Sequence, residues 1–171
     1  MRLRCTSITQ QQYDNLLKHI QDRIFVILLN IDALLDENGK IYDVGIALLK
    51  ETRYNIGIAV LYSHAIEQLG KLLLVKDCEF NGTHYDLTPI EHKFYDHDDK
   101  IDRALLVLDN KCKDIFVNIG SITYSKPDFD MRLKLLHSDI DSSGNVEETP
   151  VIDVSKLRSA VKLFESEYKK F

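Results

Sequence analysis

Apolar residues recur at steps of three and four through most of the chain, the repeat of an amphipathic helix. Tyr13, Leu16, Leu17, Ile20, Ile24, Ile27, Leu28, Ile31, Leu34 and Leu35 form one such stripe. Ser7-x-x-Gln10 has the form of a capping box ahead of it, and Asn38-Gly39 supplies a left-handed stop after it. A second helix is predicted from Asp43 to Glu51, with Val44, Ala47 and Leu48 inward. A third runs from near Tyr54 to about Lys76. Ile58, Leu61, Tyr62, Ala65, Ile66, Leu69, Leu72 and Leu73 line it so broadly that it reads as the central, most buried helix.

Between Cys78 and Asp96 the repeat lapses. Asn81-Gly82 and Thr88-Pro89 are breakers, which predicts a loop with one helical turn. A fourth long helix follows Asp98 or Asp99, with Ile101, Leu105, Leu108, Cys112, Ile115 and Ile119 at helical spacing. Ser125-Lys126-Pro127-Asp128 starts a short helix that runs to about His137. In the following SDIDSSGNVEETP, Ser142-Ser143-Gly144-Asn145 reads as a turn joining two short extended arms. The last helix starts at Asp153 or Ser155 and turns Leu157, Ala160, Val161, Phe164 and Tyr168 inward. Short connections between such helices predict one all-α domain over residues 1–171. It would be an antiparallel bundle of about five to seven helices, with one long loop and a late turn or short hairpin.

Composition agrees with this picture. The chain has 171 residues, 44% of them hydrophobic and 29% charged, with only 7 Gly and 3 Pro. That favours long regular elements over turn-rich β architecture. Cys5, Cys78 and Cys112 are odd in number and form no C-x-x-C pair, so neither a disulfide framework nor a zinc ribbon is indicated. The N-terminus lacks the apolar region of a secretory signal. Ile24 to Ile31, read as the most apolar stretch, is too short to span a bilayer. These features predict a cytoplasmic protein with no membrane association. A net charge of -5 argues against a general nucleic-acid coat and against DNA as partner, but leaves room for one local basic groove. Lys111 and Lys113, and Lys156, Arg158 and Lys162, read as solvated helix faces.

Two clusters carry candidate chemistry. His64, Glu67 and Lys71 share one side of the predicted central helix. Charges on so apolar a helix need partners, and His97 and Lys100, at the start of the next long helix, are natural ones. The set is either a polar site between two helices or an internal ion-pair network that fixes their register. The second cluster, His92, Asp96, His97, Asp98 and Asp99 with His84 nearby, is dense in metal-ligand types. It equally fits an acidic helix N-terminus. No H-E-x-x-H spacing, Gly-rich phosphate loop or G-x-S-x-G is present, and neither a metal nor a cofactor is expected.

Three segments resemble the AbiV family of bacterial abortive-infection proteins. Residues Asn30 to Lys71 are similar to its paired helices and to its "aromatic–A–x–E-E-x-G-K" segment, here Ala65, Glu67, Gln68, Gly70 and Lys71. FYDHDDK is similar to "F-x-x-H-x-x-K" through His97 and Lys100. MRLKLLHSDIDSSGNVEETP is similar to a late segment with an Arg, a Gly turn and a Pro. The departures are Gln68 at the second acidic position and His137 where the family commonly has Tyr.

The resemblance implies membership of the wider HEPN superfamily of small helical bundles, which often dimerise. Many of these are metal-independent endoribonucleases marked by R-x4-6-H. Arg132 and His137 form one such match, with Leu133 where a polar residue is usual. The implied function is anti-phage defence by a toxin-like endoribonuclease, homodimeric, cutting RNA and activated by a phage-encoded protein. The alternative is a non-catalytic protein that senses a phage component and arrests growth by binding. His137 would move a proton at the ribose 2′-OH or the leaving 5′-oxygen, while Arg132 would hold the phosphate. Five residues on one helix leave the two side chains about 140° apart. Convergence therefore requires His137 to lie past the helix end, or a dimer mate to supply one of the pair. Otherwise Arg132 is a surface residue and His137 a capping or structural one.

Overall fold

The described helices are arranged around α2 (Val44–Lys76), a 33-residue helix. The structure, a computed structural model, describes residues 6–38, 44–119, 121–136 and 150–171. On α2, Ile58, Ala59, Tyr62, Ala65, Ile66, Leu69 and Leu72 expose no surface at all. The second and third predicted helices are one. Glu51-Thr52-Arg53-Tyr54 contains neither Gly nor Pro, so nothing interrupts the backbone ladder. Tyr54–Lys76 is also long and apolar enough to cross a membrane, more so than Ile24 to Ile31, but 78% of its most apolar window is buried inside the protein. It is the core helix of a bundle.

Helix α1 (Gln10–Asn38) lies along α2. Leu34 meets Gly57, while Arg23 and Ile27 share a cavity with His64, so the two run antiparallel. The capping box sits two residues later than the sequence suggested. The Thr9 hydroxyl accepts from Gln12 N at 3.3 Å, and Gln12 Oε1 accepts from Thr9 N at 2.9 Å. Ser7 instead belongs to a two-residue strand, β1 (Ser7–Ile8), which pairs antiparallel with β2 (Tyr85–Asp86). Tyr13 and Tyr85 stack across this junction. The predicted loop between Cys78 and Asp96 thus holds β2, a 3-10 turn at Thr88–Ile90 begun by Pro89, and helix α3 (Glu91–Tyr95). Gly82, at φ +97°, takes the left-handed conformation that a side chain would disfavour.

Helix α4 (His97–Val107) packs on α2. Its cap is Asp96, whose carboxylate accepts from the amides of Asp98 and Asp99. The fourth helix does not continue to Ile119. Leu108 is extended, and Asp109 caps a new four-residue helix, α5 (Asn110–Lys113), by accepting from Lys111 N at 2.8 Å. Beyond it, Val117–Ile119 (β3) pairs antiparallel with Ile122–Tyr124 (β4) and with Val151–Ile152 (β5). Cys112, Ile115 and Ile119 fall on a helical repeat by coincidence. The β-branched and aromatic residues on both sides of Gly120-Ser121 favour a strand pair. The hairpin expected around Ser142 to Asn145 lies outside the described residues.

Helix α6 (Phe129–Leu136) starts where Asp128 Oδ1 accepts from Met131 N at 2.8 Å, and α7 (Val154–Glu167) is capped by Asp153. Tyr62 ties the far side together. Its hydroxyl donates to the carbonyl of Cys112 at 2.6 Å and lies 3.3 Å from that of Ala160, which joins α2 to α5 and α7. Among the described residues the architecture is an all-α bundle of seven α-helices with two small antiparallel sheets. Cys78 and Cys112 are free and buried, and burial pushes their thiols up to about 11 and about 12.

Candidate functional site

An ionised carboxylate inside an apolar helix must be surrounded by positive charge or hydrogen-bond donors. Glu67 is such a group, with its side chain 2% exposed. Five side chains from three helices converge on it. Lys100 of α4 places Nζ 3.1 Å from Oε1, and Lys71 of α2 reaches the same oxygen at 3.4 Å. Arg132 of α6 donates from Nη2 to Oε2 at 2.8 Å. His97, at the start of α4, brings Nδ1 to 3.1 Å of Oε2, and His64, one turn before Glu67, lies 3.7 Å away.

Gly70 makes this convergence feasible. A Cβ at that position would collide with the carbonyl oxygen of Lys100. The missing side chain lets the backbone of α4 cross α2 closely enough for Lys100 to reach Glu67, while its Nζ also donates to the Phe94 carbonyl at 3.2 Å. Phe129 forms a wall, stacked on His97 with ring centroids 4.2 Å apart and placed under the Arg132 guanidinium at 4.9 Å. Cation–π attraction and stacking hold both groups in place.

The cluster is layered by depth. Lys100 is 3% exposed and Arg132 8%, Lys71 is 17%, and His64 and His97 reach 40% and 44%. Glu67 and Lys100 therefore form a floor, Arg132 a middle layer and the two imidazoles a rim. Burial by itself would raise the Glu67 pKa. The adjacent His64 imidazole, the hydrogen bond from Arg132 and the charges of Lys100 and Lys71 outweigh it, and hold the carboxyl well below the usual range. Burial lowers the Lys71 pKa, as does the nearby charge of Lys100, with Glu67 offsetting part of the effect. Three fixed cations face one carboxylate. The cluster thus keeps two positive charges in excess before either imidazole is protonated, in a chain whose net charge is -5.

The structure brings together His64, Glu67, Lys71, His97, Lys100 and Arg132. Arg132 is buried against Glu67, not a surface residue. The guanidinium lies between the imidazoles, with Nη1 3.3 Å from His64 Nδ1 and Nη2 3.4 Å from His97 Nδ1. His137 lies outside the described residues. The wall residue Phe129 was not among the expected site residues, and Gln68, noted only as a departure from the acidic pattern, places its Nε2 3.5 Å from His64 Nε2. Spacing held a signal for the first, since Phe129 precedes Arg132 by three residues on one helix face. Asp96, Asp98 and Asp99 form the acidic start of α4, and His92 approaches Asp99 only at 3.9 Å, in the open. Among the described residues no three or more His, Cys, Asp or Glu side chains are placed to hold a metal ion.

No family model, curated protein or solved structure matches the chain. The likeness to AbiV proteins rests on the residues quoted for it.

Proposed function

We propose that this cluster binds the phosphodiester of RNA and cleaves it without a metal, and that the protein acts in abortive infection as a cytoplasmic, homodimeric, toxin-like endoribonuclease. The observation that carries the RNA-cleaving part is Arg132 held by Glu67 between two half-exposed imidazoles, in a locus with surplus positive charge. The abortive-infection role, the dimer and a phage-encoded activator come from the AbiV resemblance.

A guanidinium of fixed charge suits the non-bridging oxygens of a phosphate and the charge that builds on them during displacement. His97 is oriented by Glu67. Its Nδ1 is closer to the carboxylate than to Arg132, which assigns the Nδ1 proton to the bond with Glu67 and leaves Nε2 as the basic nitrogen. In the proposed reaction one imidazole takes the proton of the ribose 2′-OH as that oxygen bonds to phosphorus. The bond to the 5′-oxygen breaks, and a second imidazole protonates the leaving oxygen. The products are a 2′,3′-cyclic phosphate and a 5′-hydroxyl, with no water or metal consumed. His97, His64 and His137 are the imidazoles available to this scheme.

A second reading has its own support. Glu67 and Lys100 are almost wholly buried, as befits an ion pair that fixes helix register. The cluster would then be a clamp, and the protein a non-catalytic one that arrests growth by binding a phage component. The two readings divide on RNA integrity in bacterial cells after induction of wild type, His137→Ala and His97→Ala, with and without phage. A purified assay on single-stranded RNA in EDTA accompanies it. Fragments ending in cyclic phosphate, produced by wild type and lost in either variant, support the nuclease. Intact RNA throughout, with infection still arrested, removes the nuclease and leaves the clamp.

A further inference from the structure

An open cavity of about 300 Å³ lies between α1 and α2, lined by His19, Asp22, Arg23, Val26, Ile27 and His64. Its size is at the low end for small-molecule sites, which span roughly 300–1,000 Å³. Val26 and Ile27 give it an apolar side, and His19, Asp22 and Arg23 a polar one. His64 belongs to both the cavity and the charged cluster, since its Nδ1 is 3.3 Å from Arg132 Nη1. Arg23 of the cavity lining is also near enough to Lys71 of the cluster to disfavour its charge.

We propose that the cavity is a nucleobase subsite, which takes the base of the nucleotide whose phosphate rests on Arg132 and the two imidazoles. This rests on the phosphodiester reading of the cluster and adds the part of the ligand that the cluster leaves out. A base is flat, with apolar faces and polar edges, and the cavity offers the same division. His19 and Arg23 present planar groups suited to stacking on a base face. Val26 and Ile27, farther along the same helix face, add apolar surface. Asp22 holds the Lys18 ammonium through Oδ2 at 2.9 Å, and a carboxylate has further lone pairs for a base amino or imino group. His19, Arg23 and Ile27 follow one another at four-residue steps on α1, so one face of one helix forms the lining opposite His64.

The test is calorimetric titration of the intact protein with inorganic phosphate, ribose 5-phosphate and the four nucleoside 5′-monophosphates, followed in parallel by histidine side-chain NMR. At least one nucleotide is expected to bind about tenfold or more tightly than ribose 5-phosphate, the gain typical of stacking one base. His19→Ala and Val26→Asp should remove that gain and leave ribose 5-phosphate affinity unchanged. Both residues are exposed, so the variants should fold, which circular dichroism verifies. Equal affinity for ribose 5-phosphate and every nucleotide would overturn the subsite and leave the phosphate reading of the cluster standing. Absence of binding by all of these ligands, with no shift at His64 or His97, would overturn both.

Discussion

Two ionic systems join α2 to α4, and they differ in nearly every respect that matters to energy. In the C-terminal half of α2, Glu67 meets Lys100 with both side chains almost sealed from water. Just past its end, Asp77 meets Arg103 through two bonds of 3.0 Å, the side chains 50% and 32% exposed. The outer pair has the better geometry, a bidentate fork, yet water can replace either partner if the other is lost. The inner pair has no such reserve. Removing one member leaves the rest charged in a low-dielectric interior, a cost of several kcal/mol. Good geometry and strong commitment are thus separate properties, and burial decides which pair the interface depends on.

Four predictions bear on this contrast, from the largest effect to the smallest. Glu67→Gln strands Lys100 and Arg132 without a counter-charge and should cost about 3–5 kcal/mol in denaturant unfolding. A loss under 1 kcal/mol would show that water reaches the cluster floor. Gly70→Ala drives a methyl group against the Lys100 backbone. Because backbone yields less readily than a side chain, the loss should lie at the upper end of the about 1–3 kcal/mol typical of overpacking. If the variant folds, it should also bind phosphate more weakly, since Lys100 is pushed away from Glu67.

Acid provides the third prediction. The Glu67 carboxyl is held below its unfolded value, near 4.3. Its stabilisation is therefore complete above that pH and declines as pH falls towards the folded-state value. Wild type should lose stability between about pH 5 and pH 3 more steeply than Glu67→Gln, as read from denaturation midpoints at each pH. Parallel curves would show that other carboxylates carry the acid response. The smallest effect belongs to the outer pair. Arg103→Ala should cost about 0.2–1 kcal/mol, and less still as salt is raised.

The helical frame and the meeting of His64, Glu67, Lys71, His97 and Lys100 were legible in the sequence. The charged positions on α2 stood out against a long apolar run, and burial requires such charges to find partners, so His97 and Lys100 followed from chemistry. Two kinds of feature stayed hidden. Local competition decided the stretch after Leu108, where Asp109 starts a new turn and β-branched residues favour strands, although the apolar spacing still suits a helix. The second and third predicted helices are one because Glu51 to Tyr54, though polar, contains no breaker. Close approach was the other hidden feature. Gly70 was visible as part of E-x-x-G-K, but only the crossing of α4 shows why a side chain there is excluded. Arg132 entered through its spacing to His137, whereas in the structure its environment comes from Glu67, Phe129 and the two imidazoles.

The Glu67 cluster also has a consequence for how the molecule assembles. Its counter-charges come from α2, α4 and α6, so a half-formed bundle with α6 undocked would bury the carboxylate without Arg132. Such an intermediate is penalised in proportion to how much of the rest has already formed. The three helices should therefore unfold as one cooperative unit, with amide protons of α6 exchanging only when those of central α2 do. A short, late helix then inherits the protection of the longest one.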